Sequence, residues 1–112
     1  DELSTAMVAT GFTYDSVVRA RQAELVARVI PAVRDIRRCG AAALDLCWTA
    51  CGRFDACYER GLNAWDIAAG MLICSRAGLD VRVLPGNEHE NDGVIVAPAG
   101  LMDGLWHLVV GW

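Results

Sequence analysis

The sequence predicts an α/β domain whose sheet is at least partly parallel. Strand-like and helix-like segments alternate along the chain, so that each helix can serve as a right-handed crossover between strands. Glycine or proline punctuates most of the junctions. With 112 residues, 54% of them apolar, the chain can bury one core and is too short for two domains.

Residues 4–11 read as a strand that stops at Gly11. Ser16 is placed to cap a helix running to Ile30, whose stripe is Val18, Leu25, Val26, Val29 and Ile30, and Pro31 ends it. Residues 33–38 form a short strand candidate, after which Gly40 turns the chain into an alanine-rich helix over residues 41–51, closed by Gly52. Phe54, Ala56 and Tyr58 alternate with Asp55, Cys57 and Glu59 in the period of a strand. A helix over residues 64–77 follows, with Gly78 as its stop. Residues 79–84 are a strand, residues 85–93 a solvated loop, and residues 93–97 a further strand before an amphipathic helix from Leu101 to about Val110.

The formal charge of −4 arises from fourteen acids and ten bases, all of the bases arginine. Such a balance leaves no basic footprint for a phosphate backbone, which argues against a nucleic-acid partner. The longest apolar run, residues 67–74, is far below the roughly 18 residues that a membrane span needs, so no membrane is expected either. Nothing resembles a signal peptide. The chain opens at Asp1 with a strand following at once, and is therefore expected to be a segment of a longer protein. Five cysteines, at 39, 47, 51, 57 and 74, lack the paired spacing of a zinc site, and are read as small buried thiols in a reducing cytosol.

If the strands at Val33, Phe54 and Leu79 run parallel, then Gly40, Glu59 and Asp66 lie near one edge of the sheet, the edge where open α/β sheets bind ligands. Each residue has a plain alternative. Asn63 stands where an N-cap should, so Asp66 falls at the third helical position and could close a capping box. Glu59 could be a solvated charge beside Arg60, and Gly40 a tight turn. Asp45 and Asp55 are read as structural, His89 and His107 as no ligands. The arginines at 34, 37 and 38 read as the charged, exposed face of a strand.

Residues 39–70 read as one block narrow these alternatives. They contain Gly40-Ala41-Ala42-Ala43-Leu44-Asp45-Leu46, then Cys51-Gly52-Arg53-Phe54-Asp55-Ala56-Cys57-Tyr58-Glu59, then Ala64-Trp65-Asp66-Ile67-Ala68-Ala69-Gly70. This order and spacing resembles the inositol monophosphatase family, whose C-terminal half carries G-(S/T)-A-A-L-D-L, A-G-R-x-D-A-Y-x-E and P-W-D-x-A-A-G. Upstream, ATGFTYD, from Ala9 to Asp15, is similar to the A-T-G-F-P-Y-D of bacterial members. The resemblance covers residues 9–78.

The resemblance implies that residues 1–112 form the C-terminal sheet-and-helix layer of the family's layered αβαβα fold, without its N-terminal metal-binding half. It implies a Mg²⁺-dependent phosphatase of small phosphate monoesters, most directly inositol 1-phosphate, working as a cytoplasmic homodimer. On this reading Asp66 is a metal ligand, Glu59 contacts a substrate hydroxyl, and Gly40, Ala41 and Ala42 approach the sugar ring. Members acting on sugar bisphosphates, histidinol phosphate or phosphoadenosine phosphates remain open, as does a mainly non-catalytic interaction or regulatory protein. The family's D-P-(I/L)-D-G-(S/T) motif is absent from the chain, and with it the partner ligands that a two-metal clamp needs. Ala41 replaces the usual serine or threonine, Ala64 the usual proline, and Arg76 to Asp80 an E-A-G-G turn; substrate preference, more than reaction type, rests on these changes.

Overall fold

The computed structural model describes residues 2–111; the side chains of residues 42–44 and of Asp66 lie outside the described set. A single 3₁₀ turn, Leu3–Thr5, leads into β1 (Met7–Ala9), α1 (Ser16–Val29), β2 (Asp35–Arg37), α2 (Ala42–Ala50), β3 (Ala56–Glu59), α3 (Ala64–Arg76), β4 (Asp80–Leu84), β5 (Gly93–Ala97) and α4 (Ala99–Val109). The five strands form one sheet in the order β2-β1-β3-β5-β4. β1 pairs in parallel with both β2 and β3, whereas β5 runs antiparallel between β3 and β4.

The predicted α/β class and partly parallel sheet are therefore present, with one rearrangement. β3 and β4 do point the same way, but they are not neighbours, because the short loop after β4 folds β5 back between them as a hairpin partner. All five residues of β5 are buried: Val94 and Val96 enter one core cluster while Ile95 and Ala97 enter the other. A near-continuous apolar strand is what coverage of both sheet faces demands. α1 and α4 close one face through Leu25, Val29, Met102 and Leu105. α2 and α3 close the other through Leu46 and Cys74.

Several local expectations are corrected. The N-cap of α1 is Asp15, not Ser16: its Oδ1 accepts from the amides of Val17 and Val18 at 2.9 and 3.2 Å, and Ser16 is the first helical residue. The first predicted strand shortens because Leu3–Thr5 makes a helical turn, and the second narrows to Asp35–Arg37. β3 starts only at Ala56, since the Asp55 carboxylate before it accepts from the Met7 amide at 2.8 Å and ties the approach to β1. α3 ends as the glycine predicted. Gly78, at φ +86°, donates to Ser75 O while Leu79 donates to Cys74 O, a Schellman closure that needs a left-handed residue.

The cysteines divide. Cys57 and Cys74 are buried and Cys39 is partly so, but Cys47 on α2 and Cys51 at its C-cap are exposed. Alanine-rich surroundings in the sequence do not reveal which helix face meets the sheet. All five thiols are free.

Candidate functional site

β1, β2 and β3 point the same way and end side by side, at Ala9, Arg37 and Glu59. From β1 the chain crosses by α1 to β2 on one side, and from β2 it crosses back by α2 to β3 on the other side. The two connections deliver strands to opposite sides of β1, and the helices lie on opposite faces. Such a switch point opens a crevice beyond the carboxyl ends of the strands. The residues after β1, the start of α2 and the start of α3 all border it.

Gly40 holds φ +84°, a conformation that other residues adopt only under strain, and turns the chain from β2 into α2. Ala41 is the N-cap of α2, with extended φ −146° and ψ 117° and no side-chain cap. A serine or threonine there would accept from the first-turn amides. Alanine leaves them to other acceptors, a suitable end for an oxygen-rich ligand. Ala42 opens the helix; its side chain lies outside the described residues.

Glu59 closes β3, half-buried, at the same edge. Next to it Arg60 is buried, 7% exposed, and its guanidinium donates to Pro85 O at 2.8 Å and Val109 O at 3.0 Å. Burial lowers its pKa, opposed by the nearby Glu90 carboxylate. Glu90 in turn accepts from Gln22 Nε2 at 3.0 Å, and Gln22 Oε1 accepts from the Thr13 amide at 3.1 Å. Glu59, Arg60, Glu90, Gln22 and Thr10 thus line a small cavity together with Gly11, Phe12, Leu25 and Tyr58, whose phenol burial pushes up to about 12. The loop that carries Glu90 was expected to be merely solvated. Instead it is pinned by its own bonds: the His89 and Glu90 amides donate to Asn87 Oδ1, both at 2.9 Å, and Gly86 N donates to Asp92 at 2.8 Å. Sequence reasoning missed this cluster. One trace of it existed, because Gln22 falls three residues before Leu25 and so lies in the buried stripe of α1.

Asp66 is the third residue of α3, as expected, at the same edge; its side chain lies outside the described residues. The Asn63 carbonyl before the helix accepts from Ile67 N at 3.2 Å. An open cleft beside this helix start is lined by Asn63, Asn87, Glu90 and Asp92 among others. These donors are oxygens and amides, without a thiol or imidazole, and so suit a hard cation better than a soft one. Among the described residues no group of three or more acidic, cysteine or histidine side chains is arranged to hold a metal. The oxygen donors of the cleft are of the chemistry that suits Mg²⁺.

Asp45, in the first turn of α2, is 3% exposed, and neither carboxyl oxygen has a hydrogen-bond partner among the described residues. Burial raises its pKa. The Cys39 thiol and amide, near but not in bonding geometry, and the Arg38 guanidinium pull the other way. Arg37 pairs with Asp35 at 2.7 Å, and Arg38 lies over the rings of Phe12 and Tyr14 at 5.7 and 5.9 Å. His107 meets the Asp103 carbonyl on its own helix at 2.6 Å.

Two crossovers and a switch-point crevice, with an oxygen-lined cleft at the start of α3, define an α/β unit with an open sheet edge. The chain belongs to the inositol monophosphatase family, whose model matches residues 1–110. It is 51% identical over 106 residues to the inositol-1-monophosphatase of Mycobacterium bovis, covering 94% of this chain and 37% of that protein. It is 46% identical over 78 residues to the Nus factor SuhB of Xylella fastidiosa, covering 69% of this chain and 28% of that one. The solved structure of Mycobacterium tuberculosis SuhB superposes with a TM-score of 0.84 at 49% identity, across 96% of this chain and 42% of the other. The chain spans well under half the length of these relatives. No described helix is long and apolar enough to cross a membrane.

Proposed function

We propose that this chain is the C-terminal part of a Mg²⁺-dependent phosphatase that hydrolyses a small phosphorylated polyol, most directly inositol 1-phosphate. The observation that carries the reading is the convergence, at one switch-point edge, of Gly40 to Ala42, Glu59 and the first turn of α3 that bears Asp66. Glu59 accepts a hydrogen bond from a substrate hydroxyl, and the uncapped amides at the start of α2 face the ring oxygens. Asp66 holds the cation from a rigid helix end. Bound there, Mg²⁺ would neutralise phosphate charge and lower the pKa of a coordinated water. An N-terminal half supplies the remaining ligands, and the whole protein works as a cytoplasmic homodimer. Sugar bisphosphates, histidinol phosphate and phosphoadenosine phosphates are the competing substrates.

The test is phosphate release by the full-length protein from inositol 1-phosphate, with and without Mg²⁺. The reading expects Mg²⁺-dependent turnover of about 1 s⁻¹ or more, lowered about a hundredfold by Asp66→Asn, which keeps the shape and removes the charge. Undiminished activity in Asp66→Asn overturns the metal assignment. A second reading, a mainly non-catalytic interaction protein, draws support from the relatives named as Nus factors. Absence of turnover on every phosphate monoester offered would favour it.

A further inference from the structure

We infer that Gly11 is the positioning residue for Glu59, a notch in the loop after β1 that seats the carboxylate across the crevice. The inference rests on the proposed contact between Glu59 and a substrate hydroxyl. In the parallel pairing of β1 and β3, Ala9 stands opposite Cys57. Carried two residues further, that register sets Gly11 beside Glu59. A Cβ on Gly11 would fall 2.6 Å from Glu59 Oε1, 2.7 Å from its Cδ and 2.8 Å from Oε2. Three nearly equal distances mean that the carboxylate lies face-on to the position that a Gly11 Cβ would occupy.

Real Cβ atoms do not approach other heavy atoms this closely, so any larger residue must displace something. The Gly11 backbone does not need glycine for its own sake, because it is not among the positive-φ glycines. The three nearest neighbours of an added methyl all belong to the end of one flexible side chain. Alanine here therefore moves the Glu59 carboxylate and spares the fold. Left without the notch, a glutamate at a strand end can swing through three torsions into solvent, and the hydroxyl it should meet loses its acceptor.

The experiment uses the full-length protein and inositol 1-phosphate in a double-mutant cycle of Gly11→Ala with Glu59→Ala, alongside Glu59→Gln. Gly11→Ala is expected to raise KM about tenfold, the loss of one charge-assisted hydrogen bond, with a smaller change in kcat. In the Glu59→Ala background, where the carboxylate is gone, the same substitution should leave KM unchanged and should not lower the melting temperature. If Glu59→Gln leaves KM and kcat unaltered, the substrate contact itself is wrong and the inference falls with it. If Glu59→Gln raises KM but Gly11→Ala does not, or if the effect of Gly11→Ala persists undiminished without the Glu59 side chain, the contact stands and the notch is refuted. Equal loss of melting temperature in both backgrounds makes Gly11 a folding residue and also refutes it.

Discussion

Ala41→Ser should stabilise the protein, an unusual direction for a substitution at a proposed substrate site. Ala41 already has the extended backbone of an N-cap, φ −146° and ψ 117°, and has no side chain able to accept from the first turn of α2. A serine Oγ can accept from the amide of Ala43 or Leu44 without moving the backbone. The gain for such a cap is about 1 kcal/mol, within a range of roughly 0.5–2. Unfolding entropy near 2.1 cal/mol/K per residue sums to about 0.24 kcal/mol/K over 112 residues, so the melting temperature should rise by about 4 °C. In a longer cooperative unit the same gain should shift it by about 2 °C. Paired thermal melts of the two proteins, followed by circular dichroism, measure it. An equal or lower melting temperature for Ala41→Ser would show that the first-turn amides already have acceptors, and would remove the argument that they await a ligand.

Asp15→Ala removes both cap bonds of α1 and should cost about 1 kcal/mol, read as a lowered urea midpoint with unchanged slope; an unchanged midpoint denies the cap. Arg60→Met strips the buried Val109 carbonyl and the part-buried Pro85 carbonyl of a charged donor and should cost about 2 to 3 kcal/mol in the same titration, whereas a loss below about 1 kcal/mol would mean that water replaces the guanidinium. Asp45 has a folded pKa raised from 3.8, so its contribution to stability is full below that value and is lost as pH rises through the folded pKa. Relative to Asp45→Asn, the wild-type melting temperature should therefore fall as the pH rises above about 4, and parallel pH profiles would refute the shift. A thiol reagent at neutral pH should label Cys47 and Cys51 rapidly and leave Cys57 unmodified until unfolding, because Cys57 is buried with a pKa pushed up to about 12. Rapid labelling of Cys57 in the folded protein contradicts that burial.

The sequence by itself determined what depends on near neighbours along the chain. Gly78 could be read as a helix stop because a left-handed residue is a local need, and residues 93–97 as a strand because five consecutive apolar residues suit a site covered on both sides. The motif spacing around Gly40, Glu59 and Asp66 likewise told which family the chain resembles. Asp15 was passed over as the cap for a serine one residue later, since both are good caps and only the helix's true phase distinguishes them. The tertiary structure alone decided what depends on partners far along the chain. No local pattern says that β5 folds back between β3 and β4, that Cys47 faces out while Cys57 faces in, or that Glu90 reaches Gln22 across 68 positions. Gly11 shows the reason most directly. In the sequence it only ends a strand; the parallel register of β1 with β3 sets it under a carboxylate 48 residues away, and an absent side chain acquires meaning only from what fills its place.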